Sequence, residues 1–346
     1  MNAPIPPQKL TVKDFATDQD VRWCPGCGDY AILKAVQKTL ADVGADKDKT
    51  VFVSGIGCSS RFPYYMETYG FHTIHGRAPA IATGVKLANP ELDVWIITGD
   101  GDGLSIGGNH LIHALRRNID CQILLFNNEI YGLTKGQVSP TSHLGTRSSS
   151  TPEGSVDAPL EPIRLALGAG ARFVARSADK WVKELPEVLK AARAHRGTAF
   201  VEILQNCIVY NDTVFGSFTG KEAKVGSFIH VEHGKPLLFG AGNSQGLRVR
   251  PGSFRLEVVT VGENGITEAD ILVHDKTDPV LAGLLAAMKG PSFPVAFGVL
   301  YDDPAPCHED AVAAWKADQH ARTPDVSINA LLKRGRTWMV EGPQGG

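Results

Sequence analysis

Apolar positions along the chain follow two rhythms. Between about Gly28 and Gln205, segments with helical spacing alternate with short, densely apolar runs. "YAILKAVQKTLADVG" (30–44) keeps helical spacing and stops on glycine, which predicts a helix. "TVFVSG" (50–55) predicts a strand. "APAIATGVKLANP" (78–90) predicts a small-residue helix ended by Asn-Pro, "LDVWIITG" (92–99) a strand, "GLSIGGNHLIHALRRN" (103–118) a helix and "CQILLFNN" (121–128) a strand. Segments 159–170, 172–176, 179–197 and 199–205 continue the series. The strands are apolar without alternation, as expected for a sheet covered on both faces. The pattern predicts an α/β fold with a doubly wound, mostly parallel sheet. In such sheets, ligands bind beyond the carboxyl ends of the strands.

One stretch breaks the rhythm. Residues 136–159, "GQVSPTSHLGTRSSSTPEGSVDAP", are too long for an ordinary connection. Their composition favours disorder, and their place in the chain favours a loop at a site. After about Asn206 the chain becomes turn-rich, with strands expected at 254–262 and 270–275 and a helix at 279–288. This divides the chain into residues 1–210, the principal domain, and 211–346, a C-terminal extension of short strands and helices without a second large core.

Composition narrows the function classes. The chain has 346 residues, 43% hydrophobic and 21% charged, ordinary for a globular protein. A formal net charge of −2 argues against a nucleic-acid binder, which would normally be clearly basic. No apolar run is long enough to span a membrane, and the N-terminus lacks the apolar core of a signal peptide. The expectation is a cytoplasmic protein with no membrane or nucleic-acid partner. In that compartment the six cysteines should bind metal, carry redox chemistry or sit in the core rather than form disulfides.

Cys24 and Cys27 in "VRWCPGCGDY" could be a redox dithiol, half a zinc site or half an iron–sulfur site. A redox dithiol should follow a strand, and the charged segment before Cys24 is not strand-like. "GDG" (99–101) follows one apolar strand, and "NN" (127–128) follows the next. Two parallel strands joined by a crossover helix end at the same sheet edge. Asp100 and Asn128, 28 residues apart, can therefore meet there as hard oxygen ligands for Mg²⁺ or Ca²⁺ bound with a phosphate. Gly99 and Gly101 allow close backbone approach to a diphosphate. His75, Gly76 and Arg77 precede a helix whose start can receive an anion, and Arg77 can pair with a phosphate in bidentate fashion.

"GDG" followed by "NN" at this spacing resembles the diphosphate motif of thiamine-diphosphate enzymes. The resemblance implies Mg²⁺ held by Asp100, Asn128 and the Ile130 carbonyl. It implies thiamine diphosphate held by Ser59, His75, Gly76, Arg77, Gly99, Gly101, Asp102 and Asn128. Taken together, "WCPGCGD", "GIGCSSR", "HGRA", "GDGD", "NNEIYGLTKGQ" and "SPTS" resemble the β subunit of the 2-oxoacid:ferredoxin oxidoreductases, of the 2-oxoglutarate type. The match runs from about Trp23 to about Asn211.

That resemblance implies one 4Fe–4S cluster, which needs four thiolates. Cys58 and Cys207 each follow a predicted strand and belong at the cofactor edge. Cys121 begins a strand and belongs at the opposite edge as an inert core residue, and Cys307 lies in the tail. The family pattern names the same four ligands, Cys24, Cys27, Cys58 and Cys207. A Cys₄ zinc site would use the same residues, so spacing leaves zinc open; the thiamine motif favours the cluster. A non-redox thiamine decarboxylase or synthase would leave the four cysteines idle, and a zinc-stabilised scaffold would leave Asp100 and Asn128 idle.

The implied activity is reversible oxidative decarboxylation of a 2-oxoacid, with coenzyme A taking the acyl group and ferredoxin the electrons. Arg61 is expected to meet the distal carboxylate of 2-oxoglutarate, with pyruvate as the alternative substrate, and Lys135 to face the active site. Only one diphosphate-binding domain is present. The resemblance therefore implies an α subunit that supplies the glutamate for the aminopyrimidine and most coenzyme A contacts, in a dimer of αβ dimers. The chain alone should be inactive.

Overall fold

A computed structural model describes residues 10–220, 223–322, 327–338, 340 and 342. Helix α1 (Asp29–Asp42) leads into β1 (Thr50–Ser54) and β2 (Tyr69–His72). Helix α2 (Ala78–Ala88), β3 (Asp93–Gly99), α3 (Asp100–Leu104), α4 (Gly108–Arg117) and β4 (Cys121–Asn127) follow. Then come α5 (Pro162–Gly168), β5 (Phe173–Ala178), α6 (Glu184–Ala194) and β6 (Thr198–Leu204). The remainder supplies β7 (Phe228–Val231), β8 (Leu238–Phe239), β9 (Gln245–Val249), β10 (Leu256–Thr260), α7 (Pro279–Ala286) and β11 (Val295–Asp302).

Eight strands form one sheet in the order β2-β1-β3-β4-β6-β5-β11-β7. Every pairing is parallel except β11 with β5. The α/β, mostly parallel fold read from the sequence is the one observed. Its strands lack alternation because both faces are covered. Along β4, Ile123 and Leu125 pack into one core, while Leu124 and Phe126 pack into the other.

Several elements differ from expectation. The helix expected over 103–118 is two helices, α3 and α4, separated by Ser105–Gly107. Here the chain presses against its surroundings: a Cβ on Gly107 would stand 2.5 Å from the Asp102 carbonyl and 3.0 Å from the Gly76 Cα. Residues 270–275 are not a strand; Val273 makes only an isolated bridge to Pro236. Strands β2, β7, β8, β9 and β11 and the 3-10 helix Ser59–Tyr65 lie outside the segments expected to form elements. Strands β7 and β11, both after residue 211, lengthen the principal sheet, while β8, β9 and β10 form a small antiparallel one.

Candidate functional site

The carboxyl ends of β1, β3, β4 and β6 converge on a cavity of about 90 Å³. Its lining includes Cys58, Ser59, His75, Gly99, Asp100, Gly101, Asp102, Asn128 and Ile130. The glycines leave room that side chains would take, since a Cβ on Gly101 would overlap the Tyr131 ring. Tyr131 in turn donates its hydroxyl to the Gly101 carbonyl at 3.0 Å.

Asp100 is buried at the start of α3. Its Oδ2 accepts from Ser139 Oγ at 2.5 Å and from Thr141 Oγ1 at 2.6 Å. Burial pushes its carboxyl above the usual range, and the two hydroxyls pull the other way. Both donors come from the 136–159 loop, whose first part is therefore packed structure. Ser142 from the same turn donates to the Glu129 carbonyl at 2.5 Å. Glu129 takes a left-handed φ of 56°, and burial, with Asp100 and Glu202 nearby, raises its carboxyl to about 8.

Asp102 ties two loops to the end of β3. Its Oδ1 accepts from Ile56 N at 3.0 Å and Gly76 N at 2.7 Å, with His75 Nδ1 at 2.9 Å. Its Oδ2 accepts from Thr98 Oγ1 at 2.6 Å. These bonds hold Asp102 in the cavity wall. Arg77 donates to the Ile106 carbonyl at 3.2 Å and does not line the cavity.

Asn128 accepts from Ile130 N on Oδ1 at 3.1 Å and donates from Nδ2 to Gln205 Oε1 at 2.9 Å. Gln205 Nε2 stands 3.2 Å from Cys27 Sγ. Cys27 therefore lies one side chain away from Asn128. Trp23 Nε1 donates to the Cys58 carbonyl at 2.7 Å, and Gly28 N to the Asn206 carbonyl at 3.1 Å. These bonds draw the Cys24–Cys27 turn, Cys58 and the segment before Cys207 together. A Cβ on Gly132 would lie 3.5 Å from both Cys58 Sγ and Cys207 Sγ. Burial raises the Cys58 thiol to about 12 and the Cys27 thiol further, and Asp29 and the neighbouring cysteines add to both. Among the described residues, no three His, Cys, Asp or Glu side chains close on a single-ion site. Cys121 and Cys307 are buried elsewhere.

Arg61 and Lys135 fall outside the cavity. Arg61 Nε donates to Tyr65 Oη at 3.1 Å and lines a separate groove with Arg22 and Tyr64. Lys135 is exposed, with φ of 78°. Sequence reasoning missed Gln205, Asp29 and the individual roles of Ser139 and Thr141. The "SPTS" turn was visible as a motif, but nothing in spacing alone aims its hydroxyls at Asp100.

Residues 55–203 match the family described as thiamine pyrophosphate enzyme, C-terminal TPP binding domain. The chain is 48% identical to 2-oxoacid:ferredoxin oxidoreductase 1, subunit beta, of Aeropyrum pernix, over 60% of this chain and 65% of that one. It is 50% identical to 2-oxoglutarate oxidoreductase subunit KorB of Mycobacterium tuberculosis, over 98% of this chain and 92% of that one. The chain belongs to the β subunits of the 2-oxoacid:ferredoxin oxidoreductases. A solved 2-oxoglutarate:ferredoxin oxidoreductase from Magnetococcus marinus, with 2-oxoglutarate, coenzyme A and succinyl-CoA bound, superposes with a TM-score of 0.76. It shares 32% identity, covering 95% of this chain and 97% of that one. The match to a TPP-binding domain and to enzyme subunits agrees with the thiamine-diphosphate and enzyme readings of the sequence.

Proposed function

We propose that this chain is the β subunit of a cytoplasmic, coenzyme A-acylating 2-oxoglutarate:ferredoxin oxidoreductase, with thiamine diphosphate, Mg²⁺ and one 4Fe–4S cluster. The observation that carries this reading is a shared wall. Cys58 lines the same cavity as Gly99, Asp100, Gly101 and Asn128, so a redox centre at the cysteines would adjoin the diphosphate site. Zinc, being redox-inert, would have no task beside that cofactor.

The residues fit the cofactors by chemistry. Asp100, Asn128 and the Ile130 carbonyl are the oxygen donors suited to Mg²⁺. Ser59, His75, Gly76, Gly99 and Gly101 offer a close, polar approach for a diphosphate. Cys24, Cys27, Cys58 and Cys207 offer the four thiolates of a cluster. Bound thiamine diphosphate supplies the carbanion stabilisation that lets a 2-oxoacid lose CO₂.

The chain's own residues bind and orient. Ser139 and Thr141 hold the Asp100 carboxylate by its Oδ2. Asp102 keeps the His75–Gly76 turn beside the cavity. Arg61 has no ion pair among the described residues, and among the influences on the Cys58 thiol it is the one cation, favouring the thiolate; this supports it as the cation for the distal carboxylate of 2-oxoglutarate. An α subunit completes the site with the glutamate for the aminopyrimidine and coenzyme A contacts, and ferredoxin accepts the electrons.

The test is anaerobic co-expression with the α subunit. The complex should show visible absorbance that dithionite bleaches. It should reduce ferredoxin with coenzyme A and 2-oxoglutarate in preference to pyruvate, and purified β chain alone should not. Colourless, zinc-containing protein, or full activity of the β chain by itself, would refute the reading. Turnover preferring pyruvate would replace the substrate.

A further inference from the structure

We propose that Gln205 is a positioning residue that couples the metal–diphosphate site to the cysteine site through the two ends of its amide. The inference rests on the cofactor assignments above and extends them to a side chain between the two centres.

Gln205 follows β6 directly, and its backbone N–H donates to the Asn127 carbonyl at 2.8 Å. Its side chain is 2% exposed and lines the cofactor cavity. Oε1 accepts from Asn128 Nδ2 at 2.9 Å. Nε2 donates to the Asn206 carbonyl at 2.6 Å and stands 3.2 Å from Cys27 Sγ. Neither amide is free to flip. The Asn206 carbonyl requires the Gln205 nitrogen on its side, and the Ile130 N–H requires Asn128 Oδ1 on its own. The result is a directed chain from Ile130 N through Asn128 and Gln205 to Cys27 Sγ.

Each end has a physical consequence. Partners behind a metal ligand orient it, and losing one typically costs about 10–100-fold in metal affinity. A hydrogen-bond donor aimed at a cluster sulfur stabilises the more negative, reduced state and raises the reduction potential. Gln205 does both at once. Ordering of Asn128 by a bound metal would steady the donor on Cys27, and by linkage the effect is reciprocal.

The experiment uses the co-expressed αβ complex. Its two readouts are the midpoint potential of the cluster, by redox titration with electron paramagnetic resonance, and the apparent Kd for thiamine diphosphate in Mg²⁺, by protein fluorescence. Gln205→Leu removes both ends; the expected result is a more negative potential together with affinity weakened by about 10–100-fold. Gln205→Glu keeps the acceptor for Asn128 and loses the donor to Cys27. It should leave the affinity near wild type while the potential still falls, and it carries the test if the Leu variant does not fold. Unchanged potential in a variant that retains its cluster, or equal loss of affinity in Glu and Leu variants, overturns the coupling while leaving the cofactor assignment intact. A wild-type complex without a 4Fe–4S signal overturns the assignment itself, and this inference with it.

Discussion

Thr141 Oγ1 lies 2.6 Å from Asp100 Oδ2 and 2.9 Å from Asn127 Oδ1. A hydroxyl has one proton, so it serves one of these acceptors at a time, and Ser139 supplies Asp100 with a second donor. Thr141→Val leaves the site's volume nearly unchanged and removes the donor. Affinity for thiamine diphosphate in Mg²⁺ should fall by about 10-fold, and Thr141→Ser should restore most of it. Fluorescence titration of the complex checks both, and equal affinity in Val and wild type would contradict the role.

Gly101 is required by contact. Its missing Cβ is the space taken by the Tyr131 ring. Gly101→Ala should displace Tyr131 and the loop after β4, abolishing saturable thiamine diphosphate binding while circular dichroism stays native. Retained binding would show that the loop yields.

The cysteines should separate into two classes. Alanine at Cys58 or Cys207 should remove the dithionite-bleachable absorbance and most of the iron. Alanine at Cys121, buried in the core, should keep the cluster at a modest cost in stability. Iron analysis of the anaerobic complexes distinguishes them, and a full cluster in Cys207→Ala would exclude that ligand.

Strands β7 and β11, both beyond residue 220, are part of the principal sheet. Ending the chain there removes β11 from the edge of β5 and β7 from the edge of β11. The bared strand edge and its apolar neighbours should make the truncated chain insoluble. Soluble, cooperatively melting protein would show that the first six strands suffice.

His274 predicts a pH dependence. It is buried with Nε2 2.8 Å from the Val299 carbonyl; burial, and secondarily the nearby His233, hold its pKa below 6.5. The fold therefore favours the neutral ring. Its contribution is present above the unfolded value and is lost as pH falls towards the lower folded value. As pH falls below 6.5, wild-type Tm should fall more steeply than that of His274→Gln, whose amide can still reach the carbonyl. Parallel melting curves would discount His274.

Much was legible from local pattern. Strand–helix alternation depends on period and burial, so β1, β3, β4, β5 and β6 and the edge shared by Asp100 and Asn128 could be read directly. Strands β7 and β11 could not, because β11 takes its place by pairing with β5, far away in sequence, and β7 by pairing with β11. The break after α3 was equally hidden, since it arises from the crowding of Gly107 against Asp102 and Gly76. The sequence by itself determined the chemistry available: a carboxylate, amides, glycines and cysteines on neighbouring strand ends. Only the tertiary structure decided which groups touch. Thr141 on Asp100, Asp102 turned into a wall, and Gln205 between Asn128 and Cys27 are contacts between residues 26 to 178 positions apart in sequence. No local propensity encodes such contacts; packing and the need to pair buried polar groups do.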